Sequence, residues 1–283
     1  MRLRALIAAT FASLAIAVAV SGCGSSAVVI GPLAQAADVT ARAGGAHMQL
    51  SARIEAGEVP NAITMSGGGY FNYAAKEGTF SVQVAGLPAA SGLGSEMTIQ
   101  EIFKGSKLYV SSPLLTGKLP NGARWMSVDL TRVGQAAGLD TTQLLGGQSN
   151  PAQFLEYLKA SGASVAKVGT NPIRGVPTTH YTATIDLAKA TGALAGKNAG
   201  AAQQAISKLG MSELPVDVWV DSHDLVRRIQ ISIHIPALGK SLQMVMDIEM
   251  FGFGSVPTVS APPASETFDA TSTTLSGLGS ATQ

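Results

Sequence analysis

Apolar and polar residues alternate along several short stretches of this chain, and the alternation is its clearest structural signal. Every second residue is apolar over residues 47–54 and again over residues 79–84. A period of two is typical of β-strands that bury one face and expose the other. Similar stretches predict further strands at residues 96–103, 107–111, 125–130, 164–168, 178–185, 214–221, 225–235 and 241–251. The chain is therefore predicted to form a broad antiparallel sheet.

Helical segments are fewer and shorter than the strands. Residues 131–157 predict two short helices, with Asn150 as the N-cap and Pro151 as the first residue of the second. Residues 188–209 are rich in alanine and predict a third helix, which three glycines weaken. A strongly curved antiparallel sheet with helices on one side is a fold of the α+β class.

One face of this predicted sheet is almost entirely apolar, and it supplies the candidate ligand-binding residues. They are Met48, Leu50, Ile54, Phe80, Val82, Val84, Ile229, Ile231, Ile233, Met244, Met246 and Ile248. Two interpretations are open: the face packs on the helices as ordinary core, or it lines a cavity between sheet and helices. The helices are too few and short to cover a broad sheet, and uncovered apolar patches usually bind something. Methionine suits such a site because its flexible thioether adapts to varied apolar partners.

Glycine-rich stretches interrupt the alternation in two places. Residues 66–69 (Ser-Gly-Gly-Gly) and the pair Gly146-Gly147 are expected to form mobile loops at the mouth of the cavity.

The first 22 residues have the layout of a signal peptide. Arg2 and Arg4 precede an uncharged apolar run of about 16 residues, shorter than the roughly 20 that a permanent membrane span requires. The run ends in Val20-Ser21-Gly22-Cys23, which resembles the bacterial lipobox. Cys23 is the only cysteine of the chain. The sequence therefore predicts that the Cys23 thiol is lipidated and anchors the protein to the outer face of the cell membrane, the alternative being an ordinary signal peptide.

Four segments follow from these features. Residues 1–22 are the expected signal peptide, and residues 23–36 are the lipidated cysteine and a flexible tether. Residues 37–253 form the folded domain. Residues 254–283, which are rich in serine, threonine and proline, are expected to be a disordered tail.

Charge and motif content exclude several function classes. The 19 basic and 18 acidic residues become 17 and 18 once the signal peptide is removed, so nothing favours nucleic-acid binding. The four histidines have no ligand-like spacing, and no metal site or cofactor is expected. Nucleophile elbows and phosphate loops are absent from the sequence. An enzyme is therefore not expected.

The order of elements resembles the LolA-like superfamily, above all the actinobacterial lipoproteins of the LppX and LprG type. The resemblance rests on the lipobox, the long antiparallel run and the central helical insertion with Phe154-Leu155-Glu156-Tyr157-Leu158. The segments Arg174-Gly175-Val176-Pro177 and Leu214-Pro215-Val216-Asp217-Val218-Trp219-Val220-Asp221 also resemble those proteins. The resemblance implies an unclosed, half-barrel-like sheet with helices over its concave face, and a role in carrying lipids or lipoglycans between envelope layers.

Two functions are therefore considered. The first is a membrane-anchored lipoprotein that binds a lipid or another apolar ligand for transport in the cell envelope. The second is an envelope sensor or interaction module that uses the same fold to bind a protein partner.

Overall fold

The computed structural model describes residues 27–28, 31–56, 61–87, 94–136, 164–189, 210–235 and 242–275. Thirteen strands in this part of the chain form one sheet: β1 (Ala27–Val28), β2 (Gly45–Ala56), β3 (Ile63–Asn72), β4 (Glu77–Ala85), β5 (Glu96–Lys104), β6 (Lys107–Ser111), β7 (Trp125–Asp129), β8 (Ser164–Ile173), β9 (Val176–Asp186), β10 (Glu213–Asp221), β11 (Val226–Ile235), β12 (Leu242–Phe251) and β13 (Thr267–Asp269). The helices are α1 (Gly31–Arg42) and α2 (Leu130–Ala136). Single 3₁₀ turns lie at Pro120–Gly122 and Ala264–Glu266.

The sheet is built from two meanders that meet in its middle. Its strand order is β1-β8-β9-β10-β11-β12-β2-β3-β4-β5-β6-β7-β13, so β12 pairs with β2 and joins the C-terminal meander to the N-terminal one. All pairs are antiparallel except β13 with β7. Among the described strands, β1 and β13 form two separate edges. The predicted α+β class with a curved, unclosed antiparallel sheet is confirmed.

Helix α1 packs on one end of the apolar face. Leu33, Ala36, Ala37 and Thr40 have the i, i+3, i+4, i+7 spacing of one helix face, and all four are buried. They join a core cluster with β10 and β11, and the Thr40 hydroxyl accepts a 2.9 Å hydrogen bond from the Val226 N–H. The expected tether over 23–36 is therefore wrong for residues 31–36, because their small apolar side chains belong to this helix. We call this end of the sheet the α1 end.

Strand β3 corrects the expectation of a mobile loop at residues 66–69. These residues pair continuously with β2 and β4. A Cβ atom on Gly67 would lie 2.1 Å from the Ser81 carbonyl oxygen, and one on Gly69 would lie 1.8 Å from that of Thr79. Only glycine fits such a close approach of neighbouring strands, which is typical of a sharply bent sheet. The alternating pattern vanishes here because these positions have no side chains.

The segment after β12 corrects the expectation of a disordered tail for residues 254–275. It follows the α1 end of the sheet from β2 to β7, with Val256 and Val259 buried. The Val259 carbonyl accepts a 2.8 Å hydrogen bond from Lys104 Nζ, and the buried Thr271 hydroxyl accepts one of 2.9 Å from the Asp129 N–H. Strand β13 then pairs with β7. The low-complexity composition of this segment did not predict its order, because the order comes from contacts with the sheet.

Some predicted elements lie outside the described residues. These are the second helix of 131–157, most of the helix at 188–209, the Gly146-Gly147 pair, the signal peptide and Cys23.

The substitution Gly69→Ala is expected to destabilise the fold, because its methyl group would overlap the Thr79 carbonyl oxygen. The free energy of unfolding should fall by about 3 kcal/mol, the upper part of the range for overpacked interiors. Urea unfolding followed by circular dichroism measures this change. The control is Gly169→Ala in β8, where a Cβ atom meets nothing within 4 Å. The control should change the free energy by less than about 0.5 kcal/mol. Equal stability of both variants would contradict the close approach of β3 and β4.

Candidate functional site: the apolar face of the sheet

The sheet register brings all twelve predicted ligand-binding residues onto one face. Three rows cross strands β11, β12 and β2 in direct register: Ile233–Met244–Ile54, Ile231–Met246–Ala52 and Ile229–Ile248–Leu50. Phe80, Val82 and Val84 lie on the same face of β4, opposite Gly69, Gly67 and Met65 of β3. Residues directly opposite each other in an antiparallel pair point to the same side of the sheet. The alternation along the sequence therefore predicted the residues of this face, and the strand register places its separate stretches side by side.

Burial along this face is graded. At the α1 end Met250 is 0%, Ile229 4% and Met48 6% exposed. Farther from that end Met246, Met244 and Ile54 are only half-buried. Val82 and Val84 are buried, whereas Leu50, Phe80, Ile231, Ile233 and Ile248 are half-buried. The α1 end is thus a packed core, and the half-buried remainder is the candidate binding surface.

Between Met65 and Phe71, strand β3 leaves a short strip of this face without side chains. Gly69 lies between Met48 of β2 and Phe80 of β4, and Gly67 lies between Leu50 and Val82. The side chains on either side of β3 are therefore separated by the width of one bare strand. Sequence analysis assigned these glycines to a cavity mouth, whereas the structure places them in the middle of the apolar face.

Sequence analysis missed one functional candidate on this face, Glu101 of β5. It pairs with Phe80 of β4 and Val110 of β6, so its carboxyl group shares their apolar side of the sheet. Burial among these neighbours raises the pKa of the Glu101 carboxyl above its usual value. The signal was present in the sequence, because Glu101 interrupts the alternation of Met97, Ile99 and Phe103.

The opposite face of the sheet is polar. His180, Trp219 and Arg228 are consecutive across three strands, and the His180 ring stacks on Trp219 at 4.3 Å between ring centres. The Arg228 guanidinium lies 4.7 Å from the Trp219 ring centre and pairs with Asp247. Arg174, in the turn between β8 and β9, lies 3.9 Å above the Phe251 ring. Stacked rings and paired charges suit a face that meets water.

Two cavities in the described part of the chain lie on this polar side of the sheet. The larger is a trough of about 800 Å³ above the β3 glycines, bordered by His47, Gln49, Tyr70 and Phe251. The smaller, of about 320 Å³, lies beside it near Gln100, Ser111 and Arg124. The predicted cavity between sheet and helices involves helices outside the described residues, so it stays a prediction.

The described residues include no group of three or more His, Cys, Asp or Glu side chains that could hold a metal ion. None of the helices in this part of the chain has the length and hydrophobicity of a membrane-spanning segment.

Comparison with known sequences gives one relative of unknown function. No family model matches the chain. An uncharacterized 31.2 kDa protein of Streptomyces griseus, encoded in the rplA-rplJ intergenic region, is 29% identical over 206 residues. The match covers 69% of this chain and 66% of that protein, slightly less than two thirds of the relative's length.

Comparison with solved structures gives a lipoprotein, LprF and a LolA superfamily protein. Lipoprotein LppX of Mycobacterium tuberculosis is 14% identical, with 82% of this chain and 97% of that chain covered and a TM-score of 0.44. LprF of Mycobacterium bovis is 14% identical, with 83% and 97% covered and a TM-score of 0.45. A LolA superfamily protein of Nitrosomonas europaea is 10% identical, with 80% and 94% covered and a TM-score of 0.29.

The raised pKa of Glu101 predicts a pH-dependent effect of the substitution Glu101→Gln. The folded state holds this proton more tightly than the unfolded state, so ionisation of the carboxyl above its folded pKa lowers stability. Glu101→Gln removes this cost and should be more stable than the wild type at pH 7. The difference should shrink as the pH falls through the folded pKa towards the usual value of 4.5. Urea unfolding between pH 4 and pH 8 measures the trend, and a variant that is less stable at pH 7 would contradict it.

Proposed function

We propose that this chain binds the hydrocarbon part of a lipid against the apolar face of its sheet. In this proposal it is a non-enzymatic lipoprotein that Cys23 holds at the outer face of the cell membrane, where it carries lipids or lipoglycans within the envelope. One observation carries the proposal: the apolar face continues in register from β11 to β7, yet most of its large side chains on β11, β12 and β2 beyond the α1 end are only half-buried. Large apolar surfaces of this kind usually have a ligand or partner.

The dimensions and energies of the face suit an acyl chain. From Met48 to Ile54 strand β2 extends about 20 Å, taking about 3.3 Å per residue. One leaflet of a membrane has a hydrocarbon depth of about 15 Å, half of the usual core. Burying a sixteen-carbon chain would contribute on the order of 13 kcal/mol before ordering costs, at about 0.8 kcal/mol per methylene. The face is therefore large enough to take up a lipid from a membrane reversibly.

Two methionine side chains of β12 favour a ligand of variable shape. Met244 and Met246 are half-buried on this face, and their unbranched thioether chains adapt to different hydrocarbon contours. LppX, a lipoprotein, is one of the solved structures to which this chain is similar.

The proposed anchor would hold one edge of the sheet close to the membrane. Strand β1 begins at Ala27, four residues after Cys23, and pairs with Val165 and Ala166 of β8. Four extended residues reach at most about 14 Å. With Cys23 lipidated, the β8 edge would therefore stay within this distance of the lipid headgroups, and the domain would collect and release its ligand there.

The substitution Met246→Glu tests the proposed surface. It places a carboxylate in the middle row of the apolar face, and burying that charge against hydrocarbon should weaken acyl-chain binding by more than about tenfold. Displacement of a fluorescent apolar probe, N-phenyl-1-naphthylamine, by palmitoyl lipids measures the affinity.

The neighbouring substitution Val245→Glu is the matched control. Val245 lies on the polar face of the same strand and is 40% exposed, so its replacement should leave binding unchanged. Circular dichroism verifies that both variants fold. Native mass spectrometry of protein isolated from its own host should show bound lipid. A domain that is repeatedly empty, or a Met246→Glu variant that binds like the wild type, would contradict the proposal, and capture of an envelope protein that Met246→Glu abolishes would favour the interaction function.

A further inference from the structure

Glu101 has an exceptional position on the apolar face. Among the described residues in the regular register from β11 to β7, it is the one acidic or basic side chain on that face. It belongs to the row Met126–Val110–Glu101–Phe80–Gly69–Met48–Met250, in which every other member is apolar or glycine. Arg227, at the irregular start of β11 and outside that register, is paired with Asp221.

The Glu101 carboxyl also lacks a protein partner within the described part of the chain. Other shielded carboxylates there are paired: Asp217 with His180, Asp221 with Arg227, Asp247 with Arg228, and Glu77 with Lys104. Glu101 is half-buried, yet its side chain makes no hydrogen bond or ion pair in this part of the structure. A shielded polar group without a partner costs free energy, and an apolar residue such as leucine would cost none. Within the described residues, contacts that stabilise the fold therefore give no reason for a carboxyl group at this position.

The bare strip of β3 offers a path by which a ligand could reach the Glu101 carboxyl group. Gly69 and Gly67 leave the middle of β3 without side chains on this face, and Phe80 of β4 lies between Gly69 and Glu101 in the same row. A hydrocarbon chain that lies along this strip would pass Phe80 and bring its substituents close to the carboxyl group. A carboxyl group binds hydroxyl groups by accepting their hydrogen bonds. An ammonium partner would require a second charge to leave water, which is expensive in such a site.

We propose that Glu101 makes the apolar face selective for lipids that carry a hydroxyl group, which hydrogen-bonds to its carboxyl group beside the β3 glycines. This inference rests on the proposed lipid-binding function and names the chemical class of the ligand. It assigns Glu101 a specificity role, whereas the surrounding methionine, isoleucine and valine side chains supply most of the affinity.

The experiment compares two uncharged probes with the same acyl chain. Monopalmitoylglycerol carries two free hydroxyl groups, and methyl palmitate carries none. Each displaces N-phenyl-1-naphthylamine from the full mature domain, and the ratio of their affinities is the readout. A hydrogen bond that contributes about 1 kcal/mol predicts a preference of about fivefold for monopalmitoylglycerol in the wild type. Glu101→Leu should reduce the ratio to about one and keep or raise the affinity for methyl palmitate.

Two further variants make the result specific. Glu101→Gln keeps a hydrogen-bonding group at the same position and should retain part of the preference. Glu96→Leu removes a carboxyl group from the exposed, opposite face of the same strand and should retain all of it. An equal affinity of the wild type for both probes, or an unchanged ratio in Glu101→Leu, overturns the inference and leaves lipid binding intact. Failure of both probes to displace the dye, with no acyl lipid bound in any other assay, overturns the proposed function itself.

Discussion

An unbroken antiparallel register from β11 to β7 keeps the apolar side chains of eight consecutive strands on one face. A slip of one residue between any two strands would turn the apolar set of the displaced strands to the opposite side. The polar face opposes such a slip, because contacts such as the Arg228–Asp247 ion pair between β11 and β12 also require this alignment. The candidate site, the solvated face and the exceptional position of Glu101 all depend on this one arrangement.

Strand β3 allows the sheet to bend. Its glycines allow neighbouring backbones to approach at distances that a Cβ atom would prevent, and this close approach fits the bend of the sheet. The same lack of side chains opens the strip on the apolar face and the trough on the polar face. Glycine weakens a strand by itself, so this segment depends on its pairing with β2 and β4 for order.

The two ends of the apolar face differ because only one of them is closed by described elements. Helix α1 fills the α1 end, and the segment after β12 runs along the strand ends there, with Thr271 and Val259 holding it to the sheet. Beyond this packed end, most of the large apolar side chains of β11, β12 and β2 on this face are only half-buried. A fixed end beside a less buried surface is the arrangement that a reversible ligand site requires, since the core remains intact when the ligand leaves.

The sequence by itself determined the fold class, most strand positions and the composition of the apolar face, because alternation with a period of two is local. It could not show that β3 is a strand, since Gly67 and Gly69 have no side chains to alternate. It also could not show that residues 31–36 and 254–275 join the domain, because small and polar residues become ordered there through distant contacts such as Thr40 with Val226. Only the tertiary structure decided which stretches share a row, and so revealed Glu101 as the single carboxyl group on the apolar face of the described strands. Pairing between strands far apart in the chain carries that information, and no local pattern contains it.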